Sequence, residues 1–208
     1  MKKHLVRNGE SVQKRKFSRM FLNLRRKLLC YTFDFLEFLA VKNNIMYRFH
    51  RKWIGNFSTR EFSMAHVTSH ETVLHIGCGA LPTMSILAAK KTSAKVIAID
   101  NNPRSVIRAQ RYIGQYKLTD LITVSLGDGV SYPVEPFDVI FIAINVTPIE
   151  DVFRHLVSCA KPTVRIICRD MGDGILHLLQ SEEFSRLFTI NAQEKHLLAH
   201  SLLITKNA

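Results

Sequence analysis

Val73-Leu74-His75-Ile76-Gly77-Cys78-Gly79-Ala80-Leu81-Pro82 is a short apolar run that ends in two glycines one residue apart and then meets a proline. The run reads as a strand, the glycines as a sharp turn, and Pro82 as the first turn of a helix. In an open α/β sheet, a turn of this kind faces the unpaired N–H groups of a helix start, and a nucleoside lies there. A dinucleotide is disfavoured, because Pro82 stands where the third glycine of a G-x-G-x-x-G turn would allow close helix packing. Gly77, Cys78, Gly79, Leu81 and Pro82 are therefore the first group of candidate ligand-binding residues.

The next strand strengthens the reading. Lys95-Val96-Ile97-Ala98-Ile99-Asp100 ends in a carboxylate about 20 residues after the glycine turn, where an acid accepts hydrogen bonds from ribose hydroxyls. Asp100, followed by Asn101, is the strongest single candidate; its competing role is to cap the helix that Asn101, Asn102 and Pro103 begin. A third apolar run closes on Leu126-Gly127-Asp128-Gly129, and a fourth on Ile142-Ala143-Ile144-Asn145. Asp128, Gly129, Ala143 and Asn145 thus join the set at the carboxyl edge of the sheet, with an ordinary turn as the other role for Asp128.

Around these tips, apolar runs over 72–76, 95–100, 122–126, 137–143 and 164–168 alternate with helical patterns over 82–91, 103–116, 149–160 and 174–179. Near-continuous Val, Ile and Leu between helices is the signature of a parallel sheet covered on both faces, hence a doubly wound α/β fold. The tail breaks the alternation: 188–194 and 197–206 read as two late strands forming an antiparallel hairpin.

Upstream of 69 the character changes. Residues 1–60 hold 15 of the 29 Lys and Arg against 3 acids, so the net charge of +12 lies there and the remainder sums to zero. Amphipathic helices are expected over 11–30 and 31–49, and a short one over 58–67 capped by Ser58 or Thr59 with Glu61 in its first turn. Two parts follow: a basic helical segment over 1–68 and a Rossmann-like domain over 69–208. The basic segment suits nucleic acid or an anionic membrane surface, or simply a solvated face.

The 208 residues suffice for one main domain. Cys30, Cys78, Cys159 and Cys168 have no paired spacing, which points to reduced thiols, and neither a secretory leader nor a span of about 20 apolar residues is expected, so the chain reads as cytoplasmic. His66, His70 and His75 do not make a convincing metal site, because His75 falls inside a strand. No nucleophile-and-base constellation declares a chemistry.

The glycine turn, the acids at the second and third strand tips and the terminal hairpin resemble the class I methyltransferase superfamily. That resemblance implies S-adenosylmethionine (SAM) as the ligand, with Asp128 meeting the adenine amino group. More narrowly, Ile76-Gly77-Cys78-Gly79-Ala80-Leu81-Pro82-Thr83-Met84-Ser85, the run Phe137-Asp138-Val139-Ile140-Phe141 and Arg165-Ile166-Ile167-Cys168-Arg169 are similar to segments of the nicotianamine synthase family. Its members transfer the aminocarboxypropyl group of SAM to a small amine. The resemblance implies a catalytic glutamate at Glu61 and a substrate-binding guanidinium at Arg169; a helix-terminal acid is the other role for Glu61. The chain departs from that family at Ala80, where a proline is usual, and at Asp173 and Ile175, where a glycine and a second arginine are usual. Expected functions are a SAM-dependent transferase acting on a small amine, an RNA or protein methyltransferase that holds its substrate through the basic segment, or a non-catalytic SAM-binding module.

Overall fold

A computed structural model describes Thr32 and residues 43–170, 174–195 and 200–207. The helix expected over 11–30, most of the one over 31–49, Cys30 and residues 171–173 lie outside the described residues.

The elements are helix α1 (Asn44–Ala65), strand β1 (Thr72–Ile76), α2 (Thr83–Thr92), β2 (Lys95–Asp100), α3 (Pro103–Gln115), β3 (Ile122–Leu126), β4 (Val139–Ile142), α4 (Ile149–Cys159), β5 (Arg165–Asp170), α5 (Ile175–Leu179), α6 (Glu182–Ser185), β6 (Phe188–Lys195) and β7 (His200–Lys206). They form a seven-stranded sheet in the order β3-β2-β1-β4-β5-β7-β6. The first five strands run parallel, and β7 is antiparallel to both β5 and β6. The expected doubly wound sheet with its terminal hairpin is what the chain forms. Strand order reverses between β1 and β4, so a crevice opens at their carboxyl ends, where ligands of such sheets collect.

Side chains alternate along each strand and divide the interior in two. Val73, Val96, Ala98, Phe141 and Ile167 pack under α1, α2 and α3. Leu74, Ile76, Ile99, Ile140 and Ile166 pack under α4, α5 and α6. Burial on both faces explains why these strands carry apolar residues at consecutive positions instead of alternate ones.

The structure corrects the reading of the N-terminal helices. Where a break and a fresh start at Ser58 were expected, one helix runs unbroken from Asn44 to Ala65, through Gly55 and Asn56. A glycine in a helix interior costs only about 1 kcal/mol, and the tertiary contacts of the last two turns outweigh that. Phe62 places its ring edge-on to Phe141 on β4, with centroids 5.4 Å apart. Ser58 is consequently no cap but a buried side chain, and Glu61 lies near the carboxyl end of the helix, where the macrodipole disfavours an acid.

Two arginines of β5, four residues apart and so on the same face, fasten α1 to the sheet. Arg165 donates to the carbonyl oxygens of Ala65 and His66, which end the helix, and pairs with Glu71. Arg169 reaches Glu61 and Ser58 one turn and more further back.

Candidate functional site

Gly77 and Gly79 adopt φ of 77° and 68°, the left-handed region in which a side chain strains the backbone. Between them the chain reverses: the N–H groups of Gly77 and Cys78 both donate to the carbonyl of Ile99 at 2.9 Å. A Cβ on Gly77 would come within 2.7 Å of Val146 Cγ2, in the turn after β4, so this glycine serves close packing of the two strand tips. Leu81 and Pro82 are buried, and α2 begins at Thr83 with Pro82 as its N-cap residue.

Asp100 joins this turn to the second strand tip. Its Oδ2 accepts the Gly79 N–H at 2.9 Å, and its Oδ1 accepts the Asn102 N–H at 2.9 Å. The cap of α3 is Asn102, whose side-chain oxygen accepts the Arg104 N–H at 3.0 Å. Asp100 is thereby released from the capping role, and a carboxylate with about four lone-pair positions keeps two of them for a ligand. Asn102 was missed as an individual signal, although Asn two residues before an arginine, with proline at N1, is an Asx-type helix start that sequence alone displays. Asn101 is exposed beside it.

At the third tip, Asp128 is exposed and accepts the Val130 N–H on Oδ1 at 3.1 Å. Gly129 is there because of crowding: a Cβ would lie 2.7 Å from Ile76 Cγ2. At the fourth tip the Ala143 N–H donates to the Ile76 carbonyl at 3.0 Å, keeping the first and fourth tips together, and Asn145 is exposed. All four tips thus share one edge of the sheet.

Glu61 and Arg169 come together below that edge. Glu61 is fully buried; its Oε1 accepts Arg169 Nε at 2.7 Å and its Oε2 accepts Arg169 Nη2 at 2.6 Å. Ser201 on β7 donates to Glu61 Oε1 at 2.7 Å, and Arg169 Nη2 reaches Ser58 Oγ at 3.1 Å. The same Nη2 is 3.9 Å from Met84 Sδ, in the first turn of α2, so the pair lies beside the helix that follows the glycine turn. In this arrangement Arg169 is engaged by Glu61 instead of an open substrate pocket. Burial pulls the Arg169 guanidinium down, but the Glu61 charge and its hydrogen bonds together outweigh it and hold the group above its ordinary value, so it stays cationic. Next to the pair, His75 Nδ1 lies 2.8 Å from Ser85 Oγ. Burial lowers the His75 pKa to about 3, helped by the Arg169 charge and opposed by Glu61, so the ring is neutral. Ser85 and Ser201 escaped sequence reading, and Ser58 was read there only as a helix cap; the available signal was two arginines on one face of a largely apolar strand, which demand buried partners.

Residues 73–163 match the model of a methyltransferase domain family. The ribosomal protein L11 methyltransferase of Syntrophomonas wolfei is 31% identical over 107 residues, 51% of this chain and 32% of that protein. This chain therefore spans about a third of that relative's length. Among solved structures, MtNAS in complex with S-adenosylmethionine superimposes with a TM-score of 0.74 at 20% identity, over 90% of this chain and 78% of that one. An RNA methyltransferase from Salinibacter ruber in complex with S-adenosyl-L-homocysteine gives 0.60 at 16% identity, over 72% and 90%. The matched segment is similar to methyltransferase domains, and the two solved structures that share its fold hold S-adenosyl-L-homocysteine and S-adenosylmethionine.

Proposed function

We propose that this protein transfers a carbon group from SAM to an amine-bearing acceptor. The observation that carries the reading is the pair of hydrogen bonds that Asp100 accepts from the Gly79 and Asn102 N–H groups, which builds one frame from the glycine turn and the second strand tip. In that frame the ribose hydroxyls donate to the free lone pairs of Asp100, the adenine lies toward Asp128 and Gly129, and the sulfonium end lies over Gly77–Gly79 and the Ala143 turn. An amine nitrogen then attacks a carbon attached to the sulfonium, the carbon–sulfur bond breaks with its electrons staying on sulfur, and the amine gives up a proton. Holding both reactants in line supplies most of the acceleration, since the sulfonium is already an activated leaving group.

Methyl transfer is the reading that the domain match supports. Aminocarboxypropyl transfer is a second reading, favoured by one observation: α1 brings Glu61 to the first turn of α2 beside the donor frame, as the likeness to nicotianamine synthases implies. Glu61 then acts chiefly by holding Arg169 and α1 in position. Mass spectrometry of the spent nucleoside after incubation with SAM and a set of small amines separates the two. S-adenosylhomocysteine means methyl transfer, methylthioadenosine means aminocarboxypropyl transfer, and SAM that binds but returns unchanged with every acceptor contradicts both.

A further inference from the structure

By count, residues 61–208 carry no net charge, yet the fold sorts their charges by face, and the part of α1 before residue 61 adds further cations to one of the faces. Helices α1, α2 and α3, which cover one side of the sheet, contain a single acid among them, and it is the buried Glu61. Their exposed charges are all basic: Arg48, Lys52 and Arg60 on α1, Lys90 and Lys91 on α2, and Arg104, Arg108 and Arg111 on α3. On the opposite side α4 and α6 expose Glu150, Asp151, Glu182 and Glu183, which pair with two exposed cations, Arg154 and Arg186. The exposed acid bordering the basic side is Asp120, in the turn after α3.

The basic side is continuous. Arg104, Arg108 and Arg111 follow i, i+4, i+7 spacing and rise about 10 Å along α3, while Val106, Ala109 and Ile113 bury its other face. The stripe starts next to Asn102, at the rim of the donor frame, and ends at exposed Lys117. There Lys90 of α2 lies 4.6 Å from the centre of the Tyr116 ring, and Lys91 bonds Thr59 Oγ1 of α1 at 2.7 Å, carrying the surface across all three helices. Among the described residues, none of Arg48, Lys52, Arg104, Arg108, Arg111 and Lys117 forms an ion pair.

We infer that the face formed by α1, α2 and α3 binds the phosphate backbone of a nucleic acid, with the α3 arginines leading the strand toward the donor site. Arginine forks match phosphate oxygens, and a row of unpaired cations gains by releasing the counterions condensed on a polyanion. A membrane surface fits less well. A helix lying on lipid buries an apolar face, whereas the one large apolar side chain that α2 and α3 expose is Ile107, at 51%. Phosphate binding stands on the charge layout alone, and the direction given to the strand rests on the donor reading.

The test is fluorescence anisotropy of the full chain with a labelled 20-nucleotide oligouridylate between 50 and 200 mM NaCl. The parent protein is expected to bind with log K falling linearly in log salt. Arg104→Gln/Arg108→Gln/Arg111→Gln is expected to flatten that slope by about 2, at roughly 0.7 per lost phosphate contact, and to weaken binding at least tenfold at 100 mM. Arg48→Gln/Lys52→Gln, on a different helix, is expected to flatten it by about 1.4 and covers the case in which the triple variant fails to fold. No binding of the RNA at 50 mM salt, or an unchanged slope in both variants, overturns the proposal. So does binding to phosphatidylserine vesicles that depends on these residues while RNA binding does not. Calorimetry with SAM on the same preparations is expected to give the same affinity for parent and triple variant, so a failure here is distinct from a failure of the donor site.

Discussion

Glu61 and Arg169, separated by 108 residues in sequence, meet in a two-point ion pair with N–O distances of 2.7 and 2.6 Å beneath α1. Removing one partner strands the other in the interior. Glu61→Ala is expected to cost about 3–5 kcal/mol in urea unfolding, because the guanidinium keeps its charge and loses its main acceptor. Glu61→Leu combined with Arg169→Met replaces both charges by apolar volume and is expected to recover most of that loss. If the double variant is as unstable as the single one, the pair is not the electrostatic unit described above.

His75 makes stability depend on acidity. Its folded pKa of about 3 lies below the ordinary 6.5, so the unfolded chain takes up a proton that the folded protein refuses throughout that window. Stability is therefore whole above pH 6.5 and falls by about 1.4 kcal/mol per pH unit from there toward pH 3. From pH 7 to pH 5 the parent protein is expected to lose about 2 kcal/mol more than His75→Gln, measured by urea unfolding at each pH. Asp138 does not overlap this range. Burial pushes it up, but the hydrogen bonds from Lys161 and Thr72 prevail and hold its carboxyl below the usual value of 3.8, so its contribution fades only at lower pH. Parallel pH profiles for the two proteins would refute the assignment to His75.

Two glycines are expected to respond oppositely to alanine. At Gly77 the backbone is left-handed and Val146 Cγ2 is 2.7 Å from where the Cβ would stand, so Gly77→Ala is expected to destabilise by about 1–3 kcal/mol and to weaken SAM binding. Gly114, in the last turn of α3, has nothing within 4 Å of that position. Gly114→Ala is expected to stabilise by about 0.5–1 kcal/mol. Thermal melts of the two variants check both signs at once.

The sheet was legible because its strands are buried on both faces. β1, β2 and β3 begin and end where the apolar runs over 72–76, 95–100 and 122–126 do. The helix starts at Pro103 and Ile149 were equally plain, since proline and the acids Glu150 and Asp151 mark first turns. The places of Gly79 and Asp100 at the first two strand tips were legible residue by residue, as they are fixed by the local chemistry of a turn and a strand end.

What sequence hid was long-range. Ser58 and Glu61 look like a helix start, and only the sheet beneath them reveals that Arg169 holds both. Burial of the Ser58 hydroxyl against that guanidinium reverses its local preference for a cap. Charge was hidden in the same way: a neutral sum over 61–208 concealed a basic face and an acidic one, because α3 and α4 lie on opposite sides of the sheet.

Calorimetric titration of SAM into the parent protein and Asp100→Ala tests the central claim most directly, with Asn102→Ala as the variant that loses only the α3 cap. The parent and Asn102→Ala are expected to bind. Asp100→Ala is expected to bind at least about tenfold more weakly, the cost of losing charge-assisted hydrogen bonds to the ribose and the anchor of the Gly79 turn. Equal affinity in Asp100→Ala and the parent, or no binding by the parent, would contradict the account.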